Sequence, residues 1–349
     1  MKRLLPRKLR RSESSPAVAS RITNETVAEH REQILAGGRK FKYPIQYARH
    51  RIVINTLIVA FASAVLLMSL TWWQLYIAQN SSTFMYRMTR IVPVPVATID
   101  GQSAPFDDYL ARYRFNEFWL NKYGEVKLDS KDGQSQMSYI KRQVLNLSVE
   151  NAYAKKLAGQ YNVSVSSDDV NQLITMQRNT SNGVISEETY YAALQMTNGW
   201  SEADLRSSLQ RTILRNKVAF AYDTQASEQV KQAEPLVKAV GSDFTKIAEQ
   251  LASLKGGKIL VGQTGPIAKT GSFSGLSITK VSQLEKGAVA GPFKATTDDG
   301  YYFVRVIDTT DTQVDLSYLK VPLTMFSAKI DELRKAGKIH EYIHIAEQK

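Results

Sequence analysis

The chain of 349 residues contains no cysteine. This absence excludes a disulfide, a thiolate nucleophile, an iron–sulfur cluster and a cysteine-bound zinc ion, but a cysteine-free chain suits either redox compartment. The sequence also lacks a phosphate-binding glycine loop, a dinucleotide-binding fingerprint and a Ser/His/Asp set. We therefore expect no cofactor and no bound metal. The length allows two or three domains of ordinary size.

Charged residues are missing from the 35 positions between Arg51 and Arg87. Residues 52–70 in this window are almost wholly apolar, and about 20 residues at a rise of about 1.5 Å cross a hydrocarbon core of roughly 30 Å. Trp72, Trp73 and Tyr76 follow, and such rings favour the headgroup level. The sequence predicts a transmembrane helix over residues 52–78 that contacts membrane lipid.

The alternatives for this run are a cleaved signal peptide and a buried core helix. The run is longer than the apolar part of a signal peptide and has no obvious A-x-A cleavage site, while a buried helix this long without one charge is unusual. Basic flanks stay cytoplasmic, and the flanking residues are Arg39, Lys40, Lys42, Arg49 and Arg51. We predict a single-pass cell-membrane protein with a cytoplasmic N-terminus and extracytoplasmic C-terminal domains.

Positive charge is concentrated at the N-terminus. Residues 1–51 hold thirteen of the 45 Lys and Arg residues against four of the 33 acidic ones, so they account for most of the net charge of +12. The remainder is nearly balanced, which argues against a nucleic-acid partner because such binders spread positive charge over the folded surface. Residues 79–98, with Pro93 and Pro95, are interpreted as an extended tether.

Residues 103–222 have the apolar periodicity of helices throughout. Five helices are predicted, at Ser103 (an N-cap followed by Pro105), at residues 136–161, from Ser167, at residues 186–196, and from the capping signature at Ser201. After about Gly241, glycine-rich turns separate short apolar runs, and residues 300–306 and 314–321 are typical of strands. The predicted fold class is α+β, with a helical domain followed by a small mixed domain.

Five short motifs occur in an order that resembles one family of extracytoplasmic chaperones and prolyl isomerases, the SurA/PpiD/PrsA class. They are residues 96–102 (VATIDGQ), 198–206 (NGWSEADLR), 241–248 (GSDFTKIA), 284–293 (LEKGAVAGPF) and 300–304 (GYYFV). The first two are similar to the helical chaperone domain of that class. The last three are similar to its parvulin-type domain. The resemblance implies a membrane-anchored folding factor that binds unfolded or nascent exported polypeptides.

The resemblance also implies two active-site histidines, which this chain lacks. Tyr302 stands in the G-Y-H motif where the second histidine belongs. No strand precedes residues 226–240, which have a helical pattern, so the first position is empty unless the strand at 314–321 fills it in a permuted order and Tyr318 replaces that histidine. Tyr302 and Tyr318 are the candidate catalytic residues, because tyrosine hydroxyls can donate hydrogen bonds to a substrate.

A chaperone needs an apolar surface that accepts extended segments. The first predicted helix carries more aromatic residues than one buried face requires, namely Phe106, Tyr109, Tyr113, Phe115, Phe118 and Trp119. Phe115 falls off the main stripe, so we take Phe115 and Trp119 as candidate client-binding residues. Residues 340–344 (HEYIH) match the zinc-protease pattern, but we interpret them as the solvated face of a C-terminal helix.

The preferred function is a membrane-anchored extracytoplasmic folding factor, and the alternatives are an active parvulin-type isomerase and a non-catalytic envelope scaffold. The predicted segments are a basic cytoplasmic tail at 1–51, the transmembrane helix at 52–78, the tether at 79–98, a helical chaperone domain at 99–223, a parvulin-like domain at 224–325, and a C-terminal helix at 326–349.

Overall fold

The computed structural model describes residues 23–42, 44–180, 183–240, 243–297 and 300–346. The chain divides into two compact units, one ending at Thr71 and the other covering Trp72–Lys349. Helices α1 (Asn24–Lys42) and α2 (Pro44–Trp72) belong to the first unit, although α2 ends one residue past its boundary. The predicted basic tail lies partly at residues 1–22, outside the described part of the chain.

The apolar run forms one long helix, as predicted. Within His50–Ile77, the most apolar 18-residue stretch has a mean hydropathy of 2.3, and none of this stretch is buried inside the protein. This helix is long and apolar enough to cross a membrane. Apolar side chains are exposed on all sides of this helix from Ile52 to Leu70, whereas a water-facing helix keeps such residues on one stripe.

The end of the apolar run belongs to the second unit. Residues Trp73–Ile77 form one π-helical turn in which Leu75 is 1% exposed. The Tyr76 hydroxyl donates a 2.7 Å hydrogen bond to the carbonyl oxygen of Pro95, and its ring meets the Phe106 ring edge-on at 5.3 Å. The Tyr76 side chain is therefore held by protein groups, and its predicted position at the headgroup level stays a prediction.

The predicted tether at 79–98 is also wrong. Helix α3 (Thr83–Ile91) occupies its centre, capped by the Ser82 hydroxyl, and β1 (Pro95–Ile99) follows. Met85 and Thr89 of α3 are buried. The extended geometry that proline imposes is confined to the short stretch after the helix.

The helical part of the second unit follows a two-stranded hairpin. Strand β1 pairs with β2 (Gln102–Pro105) to form this hairpin. The elements that follow it are α4 (Phe106–Tyr123), α5 (Lys131–Gln160), α6 (Ser167–Arg178), β3 (Asn179–Thr180), β4 (Gly183–Val184), α7 (Glu187–Asn198), α8 (Glu202–Tyr222) and α9 (Thr224–Val240). Ser103 was predicted as a helix N-cap, but it lies in strand β2. Helix α4 begins later than predicted, at Phe106, directly after Pro105. The capping box at Ser201 and Asp204 is confirmed.

The C-terminal part is built on one antiparallel sheet. Its elements are α10 (Phe244–Leu251), β5 (Leu260–Ala268), β6 (Ser272–Phe273), β7 (Leu276–Ser277), a 3-10 turn (Ile278–Lys280), β8 (Val289–Lys294), β9 (Gly300–Thr309), β10 (Gln313–Pro322), α11 (Met325–Lys335) and β11 (Ile339–Glu341). The strand order is β5-β10-β9-β8. The fold class predicted from the sequence, α+β with an apolar N-terminal helix, is confirmed.

The C-terminal helix predicted at 326–349 is wrong beyond Lys335. Gly337 has φ +65°, and the backbone N–H of Lys338 bonds to the carbonyl of Leu333 at 2.9 Å, which closes α11 with a left-handed residue. Residues 339–341 then pair antiparallel with β1, so the sheet order is β11-β1-β2. Residues 347–349 lie outside the described part.

Helical and C-terminal parts share one hydrophobic core. Tyr301, Phe303, Leu319 and Val321 of the sheet join the same buried cluster as the inward faces of α4, α5, α8 and α9. The predicted boundary at 223/224 therefore falls within continuous packing. The separation of residues 99–223 and 224–325 into two domains stays a prediction.

Candidate functional site

A cleft of about 570 Å³ lies between the helical and C-terminal parts of the second unit. Helices α6 and α8 form one wall, and the 3-10 turn with the end of β8 forms the other. Its lining is partly apolar, from Leu173, Met176, Ile213, Phe220 and Ala295. A mixed lining of this size accommodates several side chains of an extended peptide.

Asp169 and Lys217 form an ion pair at one end of this cleft, with Nζ and Oδ2 2.7 Å apart. The hydrogen bond from Lys217 and the Ser166 capping box lower the pKa of Asp169 to about 2. Because this is below the usual value of about 3.9, the stabilisation is present above that value and is lost as the pH falls through about 2. Asp169 therefore keeps its charge, and Lys217 stays engaged, across the physiological range.

Two further lysines line the opposite wall. Lys294 Nζ lies 5.3 Å from the centre of the Phe220 ring and 5.8 Å from that of Tyr301. Lys280, in the 3-10 turn, is exposed. Three lysines and one aspartate line the cleft, so its side-chain charge is positive. Long apolar stems with charged ends suit contact with a peptide that carries both apolar and acidic residues.

Tyr302 and Tyr318 lie on the two central strands of the large sheet. Their ring centres are 5.8 Å apart, and the backbone registers pair Tyr302 with Lys320 and Tyr318 with Val304. Strand β10 thus lies directly beside β9, as the permuted-order hypothesis requires. The role of these two tyrosines stays a prediction.

The tyrosine pair faces a second, smaller core. Tyr302 is 1% exposed and packs with residues such as Leu276 and Ile278, and the Phe273 ring is 6.4 Å from it. Tyr318 lies over Gly262 of β5, where an added Cβ would come within 2.5 Å of the hydroxyl oxygen. Side chains of the 273–281 segment therefore cover Tyr302.

Residues 45–219 match a family described as the SurA-like N-terminal domain. This match covers half of the chain. The chain belongs to the SurA-like N-terminal domain family. No curated protein and no solved structure matches the chain.

The SurA-like domain match ends before α9, so it does not include the strands that carry Tyr302 and Tyr318. The resemblance of residues 224–325 to a parvulin domain stays a prediction. Strand β11 also lies outside the match, although it completes a sheet with β1 and β2 inside it. The SurA-like domain is therefore finished by a segment from the far end of the chain.

The two predicted client-binding residues of the SurA-like domain occupy different surroundings. The Phe115 ring packs 4.6 Å from the Trp200 ring, and both line a separate cleft of about 500 Å³ between α4 and α5. Trp119 is 47% exposed and lies beside the Tyr123 ring at 6.1 Å. Neither residue lines the cleft of α6 and α8, and their binding of clients stays a prediction.

The HEYIH motif is not on a helix, which removes the geometry of the zinc-protease pattern. His340 is exposed on strand β11, and Glu341 pairs with Arg142 at 2.6 Å. Among the described residues, no group of three His, Asp or Glu side chains is arranged to hold a metal ion.

Sequence reasoning missed the lysine residues of the cleft. Lys217 belongs to α8, whereas Lys280 and Lys294 come from the C-terminal part, and no local pattern connects them. The only available signal was the glycine-rich texture around residues 270–291, which indicates loops, and loops often carry binding residues.

Proposed function

We propose that this protein is a membrane-anchored extracytoplasmic folding factor that binds unfolded or nascent exported polypeptides. Residues 52–78 anchor it as a single-pass protein, with the N-terminus in the cytoplasm. The SurA-like domain is consistent with a chaperone-like folding factor. The observation that carries the proposal is the cleft beside α6 and α8, whose apolar lining and lysines offer weak, adaptable contacts to an extended chain.

The composition of the cleft indicates which clients it favours. Lys280 and Lys294 are exposed, while the carboxylate of Asp169 is already engaged by Lys217. An acidic side chain next to apolar ones meets favourable charge there, whereas a lysine-rich segment meets repulsion. We therefore expect a preference for segments that combine apolar and acidic residues.

Reversing the charge of the two exposed lysines tests this function. We expect the double variant Lys280→Glu, Lys294→Glu to bind a fluorescent unfolded peptide of apolar and acidic residues about tenfold more weakly, the loss of roughly 1.4 kcal/mol. Fluorescence anisotropy with the full chain in detergent micelles measures the affinity.

The control is the double variant Lys155→Glu, Lys246→Glu, which changes the net charge equally at exposed positions outside the cleft. It should retain the affinity of the unchanged protein. Equal weakening by both double variants would reject the cleft as the client site. Failure of the unchanged protein to slow aggregation of any unfolded client would favour the scaffold interpretation instead.

Isomerase activity is the second candidate function, favoured by the contact between Tyr302 and Tyr318. An X-Pro bond isomerises over a barrier of about 18 to 20 kcal/mol, and a catalytic group must reach the substrate to lower it. Because Tyr302 is 1% exposed, we expect no acceleration in a protease-coupled prolyl peptide assay. The Tyr302→His variant, which places a histidine at the position where the G-Y-H motif has one, is assayed beside the unchanged protein. Acceleration that disappears in both Tyr302→Phe and Tyr318→Phe would contradict this expectation.

A further inference from the structure

Helix α3 has an exposed side that carries large apolar residues and an arginine, and no described protein group covers this side. Phe84 is 71% exposed and Ile91 is 82% exposed, and Arg87 is exposed between them. These positions are spaced by three and four residues, so they share one side of the helix. The opposite side, with Met85 and Thr89, is buried against the rest of the second unit. The exposed side has no function in the packing of the protein.

The segment that joins the apolar helix to α3 is short and held in place. Only residues 78–82 separate Ile77 from the first residue of α3. The Asn80 backbone N–H and side-chain amide both bond to Gln74, and Arg114 donates to the carbonyl oxygen of Ser81. Five residues span at most about 18 Å even when extended. Helix α3 is therefore kept close to the end of the membrane-spanning segment.

Exposed apolar side chains flank this connection, which is polar but carries no charged residue. Trp72, Trp73 and Ile77 are about half exposed or more, as is Val92 after α3. The first charges after the span are Arg87 and Arg90, both on α3. A helix with large apolar side chains on one face and arginine beside them is typical of a segment lying in the membrane interface. Arginine there meets lipid phosphate oxygens in a charge-assisted hydrogen bond.

We propose that α3 lies in the headgroup region of the membrane that the apolar helix spans, with Phe84 and Ile91 directed toward the acyl chains and Arg87 at the phosphates. This inference rests on the proposed membrane anchoring and adds a second lipid contact to it. The lipid contact holds the folded unit at the membrane surface, where an exported chain emerges. The occupant of this face is lipid, because the face is continuous in sequence with the apolar anchor.

The absence of cysteine makes a direct depth measurement simple. Single variants Phe84→Cys, Ile91→Cys and Arg87→Cys of the full chain are spin-labelled and reconstituted in vesicles of phosphatidylcholine and phosphatidylglycerol. Accessibility to oxygen and to a water-soluble nickel reagent gives the depth of each label. We expect labels at 84 and 91 about 5 to 10 Å into the headgroup and acyl boundary, and the label at 87 nearer the water.

Two reference positions calibrate the depth measurement. Leu66→Cys lies in the middle of the apolar helix, and Met196→Cys lies on α7, where Met196 is 63% exposed. Labels at 84 and 91 that are as accessible to nickel as the label at 196 would overturn the inference while leaving the anchor intact. Labels inaccessible to both reagents would mean that protein, such as a second copy, covers the face, which also overturns it.

The label at position 66 tests the membrane anchoring itself. A water-accessible label there, or removal of the chain from vesicles at alkaline pH, would overturn the anchoring on which the inference rests. Oxygen-accessible labels at 66, 84 and 91 together support both the anchor and the interfacial helix.

Discussion

We expect the substitution Ile343→Asp to lower the free energy of unfolding of the second unit by at least about 4 kcal/mol. Ile343 is 4% exposed and belongs to the shared hydrophobic core. Loss of a large buried aliphatic side chain costs about 2 to 5 kcal/mol, and burial of a carboxylate without a partner costs more. Since small proteins are stable by only about 5 to 15 kcal/mol, the variant should be close to unfolded.

The effect is large because the C-terminal segment completes the SurA-like domain. Strand β11 pairs with β1, and the Tyr342 backbone N–H bonds to the carbonyl of Val96 at 3.0 Å. Gln79 donates to the His344 carbonyl at 2.6 Å, and Ile345 is also buried. A charge at position 343 separates the strand from the core and thereby leaves β1 with an unpaired edge.

Urea unfolding of the full chain in detergent micelles, followed by tryptophan fluorescence, measures the change. Two variants in the same C-terminal segment calibrate it. Ile343→Val should cost only about 1 kcal/mol, and His340→Ala, at an exposed position, should stay within about 0.5 kcal/mol of the unchanged protein. An Ile343→Asp protein as stable as the His340→Ala protein would show that the strand does not contribute to the core.

The substitution Asp108→Ala should cost about 3 to 5 kcal/mol, because it leaves the largely buried Arg112 without its anion, whereas Arg211 keeps its ion pair with Asp107 at 2.7 Å. Asp108 is 1% exposed on α4 and accepts a 2.8 Å hydrogen bond from the Asn151 side chain. Arg211 lies 3.2 Å and Arg112 lies 3.7 Å from its other oxygen. Burial lowers the pKa of Arg112, and the attraction of Asp108 only partly offsets this effect.

The same urea measurement separates this buried network from an ordinary surface ion pair. Asp308→Ala removes the partner of Lys286 at a site where both side chains are more than 60% exposed, and it should cost less than about 1 kcal/mol. Adding Arg112→Met to Asp108→Ala should restore part of the lost stability, because it removes one uncompensated charge. Equal costs for Asp108→Ala and Asp308→Ala would mean that the network does not stabilise the fold.

Several elements could be predicted from the sequence because their causes are local. The uncharged run predicts the long apolar helix, and the Ser201 signature predicts the start of α8, which the structure confirms. The strands at 300–306 and 314–321 correspond to β9 and β10. Apolar periodicity, capping residues and turn residues act within a few positions, so a short stretch of sequence is enough to predict these elements.

The errors occurred where a distant segment decides the conformation. Residues 339–341 have helical spacing with α11, yet the backbone of β1 provides a strand partner for them. Pro93 and Pro95 favoured an extended tether that included residues 83–91, but Tyr86 donates a hydrogen bond to Asp204 of α8, which helps to hold α3 in place. Neither partner lies near these residues in the sequence.

The sequence by itself determined the long apolar helix, the helical SurA-like domain and the mixed α+β part, because hydrophobic period and charge distribution are properties of neighbouring residues. Only the tertiary structure decided that α6, α8 and β8 enclose a lysine-lined cleft, that Tyr302 is covered, and that β11 completes the first sheet. These features depend on contacts between residues more than 20 positions apart, and such contacts form only when burial of the shared core brings the segments together.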